Sequence, residues 1–189
     1  MWGRRKLLET IEAYRVRPVG DALPGKWMTG TQSHESIVGG LACVDYLADL
    51  GRHIASDSQL PCRTALAAVF RGIRSYEQEL SKLLIGGLQQ IDGITIWGIR
   101  DVDRLDERFP TVSITHDKIK TTQLAGELAN LGIYVWNGHY YALEFVERLG
   151  LQPEGMVRIG LTHYNTPSEI DRLLAAIETI VSTTSQEST

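Results

Sequence analysis

The chain has 189 residues, 43% of them hydrophobic, and 19 Lys and Arg against 23 Asp and Glu give a net charge of −4. That is enough apolar chain for one domain with a core, or one domain plus a subdomain. No basic run interleaves with aromatics as a nucleic-acid surface would, and neither a membrane-spanning run of ~20 apolar residues nor a signal-peptide core is present.

The opening "MWGRRKLLETI" offers a scrap of apolar chain and then a basic, helix-like stretch, so the chain is expected to begin inside an element. Residues 14–28 carry two prolines and two glycines and read as an irregular connector. A helix follows from Ser33 to Leu50, with Ile37, Leu41, Val44 and Leu47/Ala48 at helical spacing and Gly51 as its stop. Gly39 and Gly40 each cost this helix about 1 kcal/mol relative to Ala, a cost that fits close approach of another backbone. Ahead of it, Gly30 and Thr31 offer free N–H groups and a hydroxyl, which suit a phosphate and equally suit plain capping. His34 and Glu35 fall in its first turn, where a surface histidine and a capping carboxylate explain them as well as a site does.

A long helix covers 59–90, striped by Leu66, Val69/Phe70, Ile73, Tyr76, Leu80, Leu83/Leu84 and Leu88. Short elements then alternate: strands at 93–99 and 111–115, a helix at 122–131 closed by Gly132, and a strand at 133–136. Asn137-Gly138 is read as a turn, followed by a helix at 140–149 closed by Gly150. In "MVRIGLTHYNTPSEIDRL" (156–173), Val157, Ile159 and Leu161 alternate with Arg158 and Gly160, the period of a half-buried strand. Arg158 is thus on the face away from the aliphatic triplet, either in water or as a fixed cation facing a cleft and awaiting a carboxylate. The final helix, 167–181, has Thr166 as N-cap, Pro167 at its first position and Glu169 completing a capping box. The polar end of the chain is expected to be disordered. Strands joined through helices indicate a small sheet covered by helices.

Cys43 and Cys62 lie far apart without a C-x-x-C, and read as two free core thiols in a reducing cytosol. His53, His116, His139 and His163 have no metal-ligand spacing, so no metal site is expected. Tyr140, Tyr141 and Phe145 read on spacing as core and boundary aromatics, although a turn between strand and helix can aim such side chains into a cleft.

Taken in order, "TGTQSHESIVGGLACVDYLADLG", "GIYVWNGHYYALEFVERLGL" and "VRIGLTHYNTPSEIDRLL" resemble the carboxy-terminal part of the class V aminotransferases. These are the cysteine-desulfurase-like branch of the pyridoxal 5'-phosphate (PLP) enzymes with the aspartate-aminotransferase fold. The resemblance runs from Trp2 to about Val181, and the R-x-x-L-x-x-Y-N-T run is its most specific element. It implies an α/β fold in which 1–56 finish the large cofactor domain and 57–182 form an α+β small domain. That small domain would hold a small, mostly antiparallel sheet covered by helices, and the tail that its polar composition marks as disordered, 183–189, would follow it. It implies that Arg158 clamps the α-carboxylate of a small amino acid. It further implies that Gly30 and Thr31 reach across a dimer interface to the cofactor phosphate, and that Asn137, His139 and Tyr141 lie on an active-site loop.

Two departures qualify the match. The family's Schiff-base lysine precedes the strand that "MWGRR" resembles, and Lys6, Lys26, Lys82, Lys118 and Lys120 are all outside that motif. The aspartate for the pyridine nitrogen and the ring-stacking histidine belong to the same earlier half. The expectation is a truncated or split product, inactive without an N-terminal partner chain or segment. The alternative is a non-catalytic dimerisation or regulatory module. Tyr141 occupies the place of the desulfurase cysteine, and a phenol cannot carry a persulfide. Racemisation, β-elimination and transamination stay open.

Overall fold

Alternation of apolar residues in the second half of the chain produces a sheet with one covered face. The computed structural model describes residues 3–28 and 30–187. Its four strands are β1 (Ile94–Trp97), β2 (Thr111–His116), β3 (Trp136–Gly138) and β4 (Met156–Gly160), ordered β1-β2-β4-β3 with every pair antiparallel. Six α-helices lie among the described residues: α1 (Arg5–Thr10), α2 (His34–Ala55), α3 (Cys62–Leu88), α4 (Thr121–Asn130), α5 (Leu143–Arg148) and α6 (Pro167–Glu187). The class is α/β, with a small antiparallel sheet covered by helices, as expected.

By compactness the chain divides into residues 1–66 and 67–189, a division that falls inside α3. The boundary expected from sequence, between 56 and 57, precedes that helix. In the second unit, Leu80, Leu84 and Leu88 of α3, Leu124 and Leu128 of α4, and Ile170 and Ile177 of α6 cluster with Ile96, Val112, Ile114, Val157 and Ile159 of the strands. Each such side chain contributes roughly 1.5–3 kcal/mol of burial. The registers Trp97↔Ser113, Ser113↔Arg158 and Trp136↔Arg158 align one row of residues on the opposite face, where side chains alternate out of the core.

The capping box forms as read: Glu169 N–H donates to Thr166 Oγ1 at 3.3 Å and Thr166 N–H to Glu169 Oε2 at 2.7 Å. The Thr166 N–H bond first, and then the Asn165 side chain, hold the Glu169 carboxyl below its ordinary range. The helix they start runs beyond 181 to Glu187. Residues 182–187 are thus helical where composition suggests a disordered tail, and the hydroxyls of Ser182 and Thr183 donate to carbonyls four residues earlier.

Other boundaries shift for local reasons. The strand expected at 133–136 pairs instead at Trp136–Gly138, so Asn137 and Gly138 belong to the ladder and not to a turn. Gly155 allows it, because a Cβ there would lie 2.2 Å from the Gly138 carbonyl. The next helix starts at Leu143, not 140, because Tyr140 and Tyr141 take left-handed φ of 53° and 61°. Residues 102–107 form a 3-10 segment that the sequence reading omits, opened by Asp103 N–H donating to the Asp101 carboxylate at 3.0 Å.

In the first unit, residues 14–28 hold only a three-residue 3-10 turn, Gly25–Trp27. It is tied to α1 by Lys26 Nζ donating to the Glu9 carbonyl (2.9 Å) and Trp27 Nε1 to that of Leu8 (3.2 Å). The expected α2 stripe is not a core: Ile37, Leu41 and Val44 are exposed, and the helix buries only Ala48 and Gly51. Cys43 and Cys62 are likewise exposed and unpaired rather than core thiols. Gly51 does not stop α2, which continues to Ala55. It instead lets the Ala65 backbone approach, since a Cβ at 51 would lie 2.0 Å from the Ala65 carbonyl oxygen. Replacing Gly51 with Ala is therefore predicted to destabilise the protein by about 1–3 kcal/mol through overpacking, although Ala is the better helix former. Denaturant unfolding checks this, and an unchanged or raised midpoint contradicts it.

Candidate functional site

A charged group in a strand needs a wet face, and β4 provides one. Its burial alternates at Val157, Arg158, Ile159 and Gly160, with Arg158 and Gly160 exposed. Among the described residues no carboxylate pairs with Arg158; its recorded partner is a ring. The guanidinium carbon stands 4.7 Å from the centroid of Tyr140, within the range of a cation–π contact.

Tyr140 comes from the segment that follows β3. Its hydroxyl donates to the Met156 carbonyl of β4, with the Trp136 carbonyl of β3 3.2 Å away. The ring is thus tethered across the β3–β4 junction. Burial pushes the phenol up to about 12 from its ordinary 10, and the Arg158 cation pulls it partly back.

The sequence-predicted residues separate around this pair. Asn137 is in the ladder opposite Val157, so the register places it on the helix-covered face, away from Arg158. His139 is exposed, and its Nδ1 accepts the Tyr141 N–H at 3.1 Å. Tyr141 is 100% exposed, set edge-on to His139 with ring centroids 6.3 Å apart. The left-handed pair 140–141 turns one tyrosine inward and the next outward. Sequence spacing favours core or boundary roles for both, and it gives no sign of a positive φ at tyrosine. Spacing therefore does not distinguish the residue that touches Arg158.

In the first unit, Gly30 and Thr31 are exposed, and a Cβ at Gly30 would meet open space. Gln32 Nε2 donates to the Gly30 carbonyl at 3.2 Å. Ser33 is the N-cap of α2 and accepts the Ser36 N–H at 3.4 Å, so Thr31 precedes the cap by two positions. Thr29 is outside the described residues. Glu35 puts a carboxylate in the first turn of α2, where it also favours the positive helix end. No group of His, Cys, Asp and Glu able to hold a metal occurs among the described residues. No described helix is long and apolar enough to cross a membrane.

The tethered phenol gives a pH prediction. The fold favours the protonated form, so the hydroxyl's contribution is complete below pH 10 and is lost as pH rises toward 12. The unfolding free-energy difference between wild type and Tyr140→Phe should shrink over that window. A constant difference across it contradicts the burial of the phenol in the fold.

Comparison with known proteins places this geometry in a family. The aminotransferase class-V family model matches residues 64–173, more than half of the chain. The aminotransferase-like protein FGM3 of Gibberella zeae is 34% identical over 113 residues, covering 58% of this chain and 27% of that protein. A cysteine desulfurase of Salmonella newport is 27% identical over 157 residues, covering 83% of this chain and 32% of the enzyme. The chain thus spans between about a quarter and a third of the length of these curated relatives. The crystal structure of the cysteine desulfurase CsdA from Escherichia coli shares the fold, with a TM-score of 0.63 at 20% identity over 85% of this chain and 33% of that one. A fold match, a family-model match over most of the small sheet and its helices, and relatives of both kinds agree: the chain belongs to the class V aminotransferase family.

Proposed function

We propose that this chain supplies the substrate-carboxylate contact of a PLP-dependent enzyme acting on a small amino acid, with Arg158 as the binding residue. The observation that carries the reading is the exposed, carboxylate-free guanidinium of Arg158, held on the uncovered sheet face. Its planar fork can pair with an α-carboxylate through two parallel hydrogen bonds. Gly30 and Thr31 take the phosphate contact in this reading, across a dimer interface. An open backbone at Gly30 and an exposed hydroxyl at Thr31 fit an anion there. Residues 1–56 complete the large cofactor domain, and 57–182 form the small domain.

The family is PLP-dependent, and PLP supplies the reactive carbonyl and the electron sink. The residues of this chain bind and orient. Lys26 is buried with its ammonium on the Glu9 carbonyl, so it is spoken for. Lys6, Lys82, Lys118 and Lys120 are exposed and outside the family's lysine motif. Turnover therefore needs a lysine-bearing segment, from the same or a partner chain, and these residues alone are inactive. Tyr141 stands where some desulfurases carry cysteine, and a phenol cannot carry a persulfide. Racemisation, β-elimination or transamination fits better than sulfur transfer.

One observation favours a second reading, a non-catalytic dimerisation or regulatory module. The face of α2 bearing Ile37, Leu41 and Val44 is exposed, and Cβ atoms at Gly39 and Gly40 would meet open space. Mixing the chain with a lysine-bearing segment of the family separates the two: the enzyme reading predicts PLP-dependent turnover of an amino acid, and the module reading none. In that assembly, Arg158→Ala should weaken amino-acid binding by about 2–4 kcal/mol, the loss of a charge-assisted bidentate contact. An unchanged substrate dissociation constant contradicts the role.

A further inference from the structure

We propose that Tyr140 is a positioning residue for Arg158: a tethered ring on which the guanidinium lies, so that its N–H edge is held toward an incoming carboxylate. The inference rests on the reading of Arg158 as the carboxylate site, and it adds a residue that neither the family motif nor the spacing assigns.

Three observations converge on it. The guanidinium carbon is 4.7 Å from the Tyr140 ring centroid. A cation above a ring face is attracted there and keeps its in-plane donors free for another partner. Second, the Tyr140 hydroxyl donates to the Met156 carbonyl and has the Trp136 carbonyl at 3.2 Å. Its tethers thus belong to the two strands whose register contains the Trp136↔Arg158 pair. Third, the backbone takes a left-handed φ at Tyr140 and again at Tyr141. Such a conformation costs non-glycine residues of order 1–3 kcal/mol and persists only where surroundings impose it. Here it brings Tyr140 under the guanidinium and leaves Tyr141 outside. An arginine side chain free in water would have to give up rotamer freedom on binding; one already resting on a fixed ring has given up part of it.

The test uses the full chain and reads Arg158 directly. Nitrogen-15 NMR of the Arg158 Nε–H, assigned with Arg158→Ala, is recorded for wild type, Tyr140→Leu and Tyr140→Phe, each titrated with L-alanine as the probe carboxylate. A ring face over the guanidinium moves the Arg158 Nε–H and Hδ resonances upfield by ring current. That shift is expected in wild type, lost in Tyr140→Leu, and retained in Tyr140→Phe with faster Nε–H motion because the tether is gone. Alanine affinity is expected to fall about tenfold in Tyr140→Leu and to an intermediate value in Tyr140→Phe, with backbone amides away from the site unmoved.

Equal Arg158 shifts in wild type and Tyr140→Leu overturn the proposal. Equal alanine affinity in those two proteins, with Arg158→Ala losing binding, also overturns it while sparing the Arg158 reading. Alanine binding that survives Arg158→Ala, or that wild type lacks, removes the Arg158 reading and leaves Tyr140 a structural neighbour only. If Tyr140→Leu fails to fold, Tyr140→Phe decides: unchanged Nε–H motion and unchanged affinity overturn the proposal.

Discussion

A guanidinium stays charged at every pH the protein meets, and removing it from water without a partner costs more than a strand can return. β4 can hold Arg158 only if one face of the sheet is left wet. Val157 and Ile159 complete the constraint from the other side, since both are buried under the helices. The sheet is therefore covered on the Val157 face by α3, α4 and α6 and open on the other at Arg158 and Gly160, although Met156 of that face is buried. With Arg158 on the open face, the antiparallel registers set Ser113 and Trp136 beside it. The geometry of the candidate site follows from the alternation of residues 157–160 in β4.

What surrounds Arg158 depends on backbone approach. β3 reaches β4 at Gly138 because Gly155 has no Cβ to obstruct it. Once Trp136–Gly138 is paired, the chain turns through two left-handed tyrosines and returns into α5. The first tyrosine lands beneath the guanidinium, with its hydroxyl on the strands that carry the site. Glycine at 155 thus acts at a distance: it fixes β3, and β3 fixes where Tyr140 can go. The same principle operates at Gly51, where the absent side chain admits the Ala65 backbone.

Those features that are local in sequence were legible in it. The period of β4 placed Arg158 opposite the aliphatics, and T-P-S-E announced the capping box that forms at Thr166 and Glu169. Gly132 and Gly150 marked helix ends, and both have positive φ. What escaped depends on partners distant in sequence. Nothing in "IYVWNGHYY" shows that pairing begins at Trp136, because the permissive residue is Gly155. Gly51 looked like a stop because its reason, Ala65, is on another helix. The apolar spacing of α2 was correct, yet spacing cannot tell a core face from an exposed one, and Ile37, Leu41 and Val44 are exposed. The family motif points to Tyr141, the position of the desulfurase cysteine, and carries no signal for Tyr140.

The family assignment and the geometry address different questions. Membership of the class V aminotransferases accounts for the fold and for the R-x-x-L-x-x-Y-N-T run. The uncovered face of β4 accounts for why an arginine is tolerated there at all, which is a matter of solvation rather than descent. The most direct measurement is a crystal structure of the chain, assembled with a lysine-bearing segment of the family, bound to a stable reduced phosphopyridoxyl amino acid. The account predicts the ligand's α-carboxylate forked onto the Arg158 guanidinium. A carboxylate bound by other groups, with Arg158 directed into solvent, would contradict it.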